Sequence, residues 1–541
     1  MRGLLPQSYV AAVLLLLAVV AVYGGTLSFP FVFDDLNFFD PPSIIAGFHT
    51  LVFQPRGLPY ATLSWTIGWL GYEPYWLRLG NVLLHAANAI ALFFLLRRLF
   101  QATLATDAPD QSVPPVLTGY AFLGALIFAL HPVAVYGVAY LIQRSTLMAT
   151  LFVLLMLIAY LEGLLRGGWH WMITAALCYF AAVFSKEHSI MAPGVALALT
   201  LLIRKPSISL LKQTAPYYLT ILLVVAIALA SMSAKIGIVL GQTYEAHALG
   251  LLELSAKMHG LSGLSALPDP HLLSILTQAT LYFKYLWLWL LPNPGWMSVD
   301  MREPFALTLL GWHTAGLAAF AGYFCAAVWL LLKRGKAGLL GFALLFPWLL
   351  YLTEFSTVRI QEPFVLYRSY LWMPGLLAAL PLLTGTLKPA RAFTLLGLLC
   401  VLLVPLALNR MNTFSNALLL WDDAEKLVRD KPGVIGVDRI YINRGNKLFQ
   451  LKRYEEAIAD FDKAVTAYPP KDELIYSSRA KSYYFTGKYR EALRDFDTAI
   501  AFRPDSRRLY YDRALTYRAF GELAAAQQDI EKSCALGGVC P

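Results

Sequence analysis

Of 541 residues, 58% are hydrophobic and 14% charged, against roughly 25% charged in a soluble domain, so an ordinary soluble globular protein is excluded. The formal net charge of +10 lies partly in short loops between apolar runs and partly in the tail. That pattern points to membrane orientation and contact with anionic lipid, and no nucleic-acid partner is expected.

Apolar stretches long enough to cross a bilayer recur at about 8–27, 80–96, 116–131, 146–165, 169–184, 188–203, 214–234, 312–332, 338–353, 369–386 and 391–408. The first follows a small charged start, Met1-Arg2, as a signal peptide would, but no A-x-A site stands out and further spans follow. The run 272–291 is rich in Tyr and Trp and closed by Pro292 and Pro294. If it lies at the interface without crossing, Arg97-Arg98, Arg166, Arg204-Lys205, Lys333-Arg334 and Lys388 all fall on one side. Eleven crossings then place the N-terminus inside and the C-terminus outside.

Just after the first span comes Phe31-Val32-Phe33-Asp34-Asp35-Leu36-Asn37. An acidic pair in a loop between spans is expensive unless it does something, although a solvated pair or a helix cap is the bland alternative. Trp65, Trp69, Tyr72 and Trp76 recur every three to four residues, predicting an amphipathic helix lying along the membrane. On the same outer face as the acidic pair fall His131, Gln143-Arg144, Lys186-Glu187, Glu354 and Arg368.

From about Asn412 the chain turns polar. A register near 34 residues aligns Arg444-Gly445, Arg479-Ala480 and Arg513-Ala514, with Ala457, Ala492 and Ala526 following, and Pro469 and Pro504 closing the first two units. This is the tetratricopeptide signature, and three units are about the minimum for a stable stack. Such stacks bind proteins, so the tail predicts a protein partner. Tyr476, Arg479, Tyr483, Tyr510 and Arg513 are candidates to grip an extended peptide. Cys178, Cys325 and Cys400 lie in apolar runs, whereas Cys534 and Cys540 form a close pair that would oxidise in an oxidising compartment. The domains read as 1–411 membrane, 412–433 linker and 434–541 repeats.

Arg56-Gly57-Leu58-Pro59, Leu79-Gly80-Asn81-Val82-Leu83-Leu84-His85, His131-Pro132, Tyr140-Leu141-Ile142-Gln143-Arg144, Phe184-Ser185-Lys186-Glu187, Glu354-Phe355-Ser356 and Tyr367-Arg368-Ser369-Tyr370-Leu371 occur in that order. Together they resemble the transmembrane-and-tetratricopeptide O-mannosyltransferases and their bacterial relatives, within the GT-C glycosyltransferases. Two departures are Arg78, near where eukaryotic members tend to have a histidine, and Ala134-Val135-Tyr136 in place of a polar, acidic triplet. The second bears on whether mannose is the sugar.

The resemblance implies an all-α, polytopic transmembrane GT-C-like domain followed by a tetratricopeptide-repeat α-solenoid, in a bacterial inner membrane with the repeats periplasmic. It implies transfer of a sugar from a polyprenyl-phosphate donor to a hydroxyl, Ser or Thr of an exported protein. The alternatives are a lipid or glycan acceptor, or a non-catalytic membrane-anchored scaffold. Asp34 or Asp35 would be the general base and the other its orienting partner, and Arg144, Lys186 and Arg368 would bind the donor phosphate. Arg56, His85, His131, Glu187 and Glu354 are supporting candidates. No obligatory cofactor is expected, with a divalent metal at Asp34 and Asp35 as the alternative.

Overall fold

The computed structural model describes residues 5–39, 45, 47–51, 54–105, 113–232, 248–262, 264–431, 434–467 and 473–537. Among them the regular structure is helical, apart from one isolated bridge between Met301 and Phe364. Among the described residues, six helices are long and apolar enough to cross a bilayer, within Ser8–Ser28, Pro74–Leu104, Leu141–Arg166, Trp312–Leu332, Gly335–Ser356 and Pro389–Thr413. Pro115–Leu130 and Pro132–Val138 meet the same length and composition together but are bent by 51° between them, the form of a broken span or a re-entrant loop.

The remaining expected spans differ in form. Trp169–Ser185 and Glu187–Ile203 are shorter apolar helices, and the expected span 214–234 falls in the helix Ile208–Met232, its last two positions lying outside the described residues. The stretch 369–386 is not one helix but Ser369–Trp372, a 3-10 segment Met373–Ala379 and Leu380–Leu383. Pro374 and Pro381 each remove an amide donor there, and Gly375 sits so close to Phe346 that a Cβ would fall 2.1 Å from its ring. The Tyr- and Trp-rich run forms a 21-residue helix, Pro270–Leu290. The expected surface helix through Trp65 and Trp76 is broken at Gly71, whose φ of 89° suits glycine, into Gly57–Leu70 and the start of Pro74–Leu104. Trp69 remains 80% exposed beside exposed Leu70, Tyr75 and Trp76, as an interfacial belt requires.

Pro74–Leu104, 31 residues and about 46 Å long at 1.5 Å per residue, is the central post, packed against Leu5–Tyr23, Pro115–Leu130 and Arg144–Arg166. Along it runs a buried polar seam, Arg78, Asn81, His85 and Asn88, spaced to share one face. Irregular backbone inside an apolar bundle must have its carbonyls satisfied, and the seam does this. Arg78 Nη1 donates to Ala139 O at 2.6 Å, Asn81 to Leu141 O at 3.0 Å, His85 Nε2 contacts Ala129 O at 3.0 Å, and Asn88 donates to Leu147 O at 3.0 Å. The asparagine-histidine motif therefore holds the broken segment 129–147 in place.

The tail forms three helix pairs: Val437–Gln450 with Tyr454–Ala467, Leu474–Phe485 with Tyr489–Phe502, and Arg507–Phe520 with Leu523–Ala535. The register arginines each chelate an aspartate of their own pair: Arg444 with Asp460, Arg479 with Asp495 and Arg513 with Asp529, at 2.6–2.8 Å. Arg479 and Arg513 also reach back to Asp462 and Asp497 of the preceding pair. They lie within 5.9 Å of the rings of Tyr476 and Tyr483, and of Tyr510 and Tyr517. These residues, expected to grip a peptide, thus also knit the repeats together.

The expected linker 412–433 contains a helix, Ala417–Val428. Trp421, Ala424 and Val428 pack on Val437, Ile440, Tyr441 and Ala464, while Arg444 lies 3.1 Å from Glu425. The amphipathic 417–428 stretch is therefore a leading helix of the solenoid. Cys534 is disulfide-bonded, and Cys540 lies outside the described residues.

Candidate active site

The two aspartates begin a short helix, Asp34–Phe39, because Phe33 takes a left-handed φ of 55° and turns the chain. The turn sends the two side chains to different surroundings. Asp35 is fully buried, accepts the backbone N–H of Ile142 at 3.0 Å and of Leu141 at 3.4 Å, and lies 4.0 Å from Arg78. Burial pushes its carboxyl up to about 7, against the pull of Arg78 and the two amides. Arg78 also donates to the carbonyls of Phe29 and Pro30, so it anchors the strap that carries both acids.

Asp34 is partly exposed and lines a cavity of about 230 Å³. Tyr140 donates its hydroxyl to Asp34 at 2.5 Å. Burial raises the Asp34 carboxyl above the usual range, and the Tyr140 bond pulls it partly back.

Across the same cavity stand Arg56, Lys186 and Arg368. Arg56 is held by Glu187 through bonds of 2.5 and 3.2 Å. Lys186 Nζ donates to two neutral acceptors, Gln143 Oε1 at 3.0 Å and Thr146 Oγ1 at 2.9 Å, and lies 5.0 Å from the Tyr367 ring. Burial, then repulsion from Arg56, pushes the Lys186 ammonium well below its ordinary range. An anion in the cavity would favour its charged form.

Glu354, fully buried, is the hub behind this wall. It accepts Arg368 Nη1 at 2.8 Å, faces Arg359 Nε at 3.3 Å and contacts His188 Nε2 at 2.9 Å. Glu187 and Glu354 therefore aim the cavity's cations.

Three expected residues lie elsewhere. The Arg144 guanidinium bonds Asn81 Oδ1 at 3.0 Å, Leu77 O at 2.6 Å and Thr66 Oγ1 at 3.3 Å, and presses on Gly80, where a Cβ would fall 2.5 Å from Nη2. It fastens two helices and does not face the cavity. His131 stacks on Trp289 at 4.2 Å and meets Trp289 O at 3.1 Å, fixing the bend before Pro132. His85 bonds the Tyr370 hydroxyl at 2.7 Å within the seam.

Sequence reasoning passed over Tyr140, His188, Arg359, Glu362 and Tyr367 as site residues, although Tyr140, His188 and Tyr367 lie in or next to the quoted motifs. Among the described residues no group of three or more His, Cys, Asp or Glu side chains is placed to hold a metal ion.

Tetratricopeptide-repeat family models match residues 439–469 and 478–536. A curated relative, protein O-mannosyl-transferase TMTC2 of Homo sapiens, is 30% identical over 142 residues, 24% of this chain and 15% of that protein. The chain thus matches a small part of that relative's length. Among solved structures, the second TPR of Spaghetti (RPAP3) bound to HSP90 peptide SRMEEVD is 28% identical, covering 18% of this chain and 91% of its own, with TM-score 0.18. MamA AMB-1 is 19% identical, covering 29% of this chain and 87% of its own, with TM-score 0.21. The chain is an all-α protein with several apolar helices and a tetratricopeptide solenoid, and it is distantly similar to a transferase.

Proposed function

We propose that this membrane protein transfers a sugar from a polyprenyl-phosphate donor to a Ser or Thr hydroxyl of an exported protein, as a GT-C-type glycosyltransferase. One observation carries the reading: a partly exposed carboxylate with a raised proton affinity, Asp34, shares a cavity with Lys186 and Arg368. An acceptor hydroxyl is a poor nucleophile. Asp34, oriented by Tyr140, would take its proton as the oxygen attacks the anomeric carbon, help worth about 10²–10⁴ in rate. The bond from that carbon to the phosphate oxygen breaks, and the electron pair stays on the phosphate. Lys186 and Arg368 would stabilise it through charge-assisted hydrogen bonds.

The cavity is smaller than the roughly 300–1,000 Å³ of whole-ligand sites, which suits a donor's polar head while its chain stays in lipid. The distant likeness to an O-mannosyl-transferase supports the reaction class. We place the cavity and solenoid outside the cytoplasm of a bacterial inner membrane; a C-terminal reporter active only in the cytoplasm would count against that placement. The deciding experiment presents purified protein with labelled polyprenyl-phosphate sugars and a protein acceptor. Turnover that requires Asp34 supports the proposal. Turnover with no donor, or undiminished in Asp34→Asn, rejects it.

A further inference from the structure

The cavity belongs to the membrane bundle, but the segments that form it are held from the solenoid. Arg439 lies on the solenoid helix Val437–Gln450. Its Nη1 donates to Glu362 Oε1 at 2.6 Å, its Nε donates to Asp300 Oδ2 at 2.9 Å, and Nη2 lies 2.8 Å from that same oxygen. The guanidinium carbon sits 5.2 Å over the ring of Phe33, the residue before Asp34.

The contacts with Phe33 and Glu362 lead into the site. The left-handed turn at Phe33 is disfavoured for a bulky residue and persists only where its surroundings hold it. Trp421, edge-on at 5.1 Å, and Tyr140, at 5.7 Å, complete that hold. Glu362 lies 4.0 Å from Arg368. Although burial raises it, Arg439 and then Arg368 keep the Glu362 carboxyl down at about 2, so the pair stays ionised. The approach is close: Gly436, with φ of 80°, leaves only 2.3 Å between an added Cβ and Arg302 Nη1, and Arg302 Nε lies 2.7 Å from Asp300.

We propose that Arg439 is a positioning residue of the bundle's site, setting the Phe33–Asp34 turn on one side and Arg368 on the other, so that docking of the solenoid's leading helices completes the cavity. The catalytic consequence rests on the transferase reading; the positioning itself does not.

The test uses the full chain in lipid nanodiscs, with hydrogen exchange read by mass spectrometry alongside donor turnover. Arg439→Met should raise amide exchange in 29–39 and 359–368 about tenfold, the scale of losing a hydrogen bond to a charged group, while Gly335–Tyr351 is unchanged. Arg439→Lys, which keeps the charge, should restore most of the protection and of the turnover. Arg513→Met, which cuts ion pairs to Asp529 and Asp497 far from the site, should loosen only the second and third helix pairs. Unchanged exchange in both segments of Arg439→Met, loosening that extends to Gly335–Tyr351, or the same loosening in Arg513→Met would each overturn the proposal. If the exchange pattern is as expected but wild-type protein turns over no donor, the transferase reading falls and the positioning role stands.

Discussion

The Tyr140 hydroxyl lies 2.5 Å from Asp34, while the amides of Leu141 and Ile142, next along the same chain, close on Asp35. One turn of backbone thus assigns two adjacent, chemically identical side chains to different work. Asp34→Asn should fold normally and lower transfer at least about a hundredfold, the scale of losing a general base. Asp35→Asn should mainly destabilise, because Leu141 and Ile142 donate to different carboxylate oxygens and the amide puts an NH2 donor in place of one of them. Comparing Tm and kcat for the two variants separates the roles.

Lys186 and Arg144, equivalent as sequence candidates for the donor phosphate, should now behave differently. Lys186→Met removes a cavity cation and should raise the donor KM with little change in Tm. Arg144→Ala leaves Asn81 Oδ1 buried without its donor, at about 1–3 kcal/mol, and removes the bond to Leu77 O. Its effect should appear as a lower Tm, with the donor KM of the surviving folded fraction unchanged.

The raised carboxyl of Asp35 has a signed consequence. Between its ordinary value near 4 and about 7, the unfolded chain has released this proton and the folded chain retains it. Folding then binds a proton, so this group's contribution to stability falls as pH rises through that window and levels off above it. Wild-type Tm measured from pH 4 to 8 should carry this decline, and Asp35→Asn should flatten it.

Truncation should depend on where the chain is cut. A stop after Ala467 keeps Trp421 and Arg439 while removing two helix pairs, and should weaken transfer to a natural protein acceptor more than to a short hydroxyl acceptor. A stop after Ile435 removes Arg439 and should impair both acceptors alike. Equal loss on both acceptors from the chain ending at Ala467 would mean that the outer repeats support the fold and not acceptor capture.

Local pattern made much of this legible. The 34-residue register found the solenoid because each pair repeats the same small residues and the same arginine. The apolar runs found most of the bundle because a lipid-facing helix cannot hide its composition. Arg144 could not be placed that way: a buried arginine serving backbone carbonyls and one reaching a ligand look identical along the chain. Asp34 and Asp35 could not be separated either, since their fates depend on the φ of Phe33 and on residues more than a hundred positions away. Arg439 was missed for a related reason, being a non-register arginine in a repeat where the register arginines draw attention. The helix at 417–428 was hidden in a stretch too short and polar to count as a span and just ahead of the first recognisable repeat.

Only Phe414, Ser415 and Asn416 separate the last apolar helix, Pro389–Thr413, from Ala417–Val428, and Asn416 caps the latter by accepting the Leu418 amide at 2.7 Å. A join of three residues leaves little room to swivel, so the solenoid projects from the bundle as a fixed arm. Under the proposed reading such an arm works as a ruler: a protein held along it presents its hydroxyls to Asp34 at a set chain distance from the gripped segment. Modified residues mapped on an acceptor would then cluster at one spacing from that segment, and lengthening the join with a few glycines would blur the spacing before it abolished transfer.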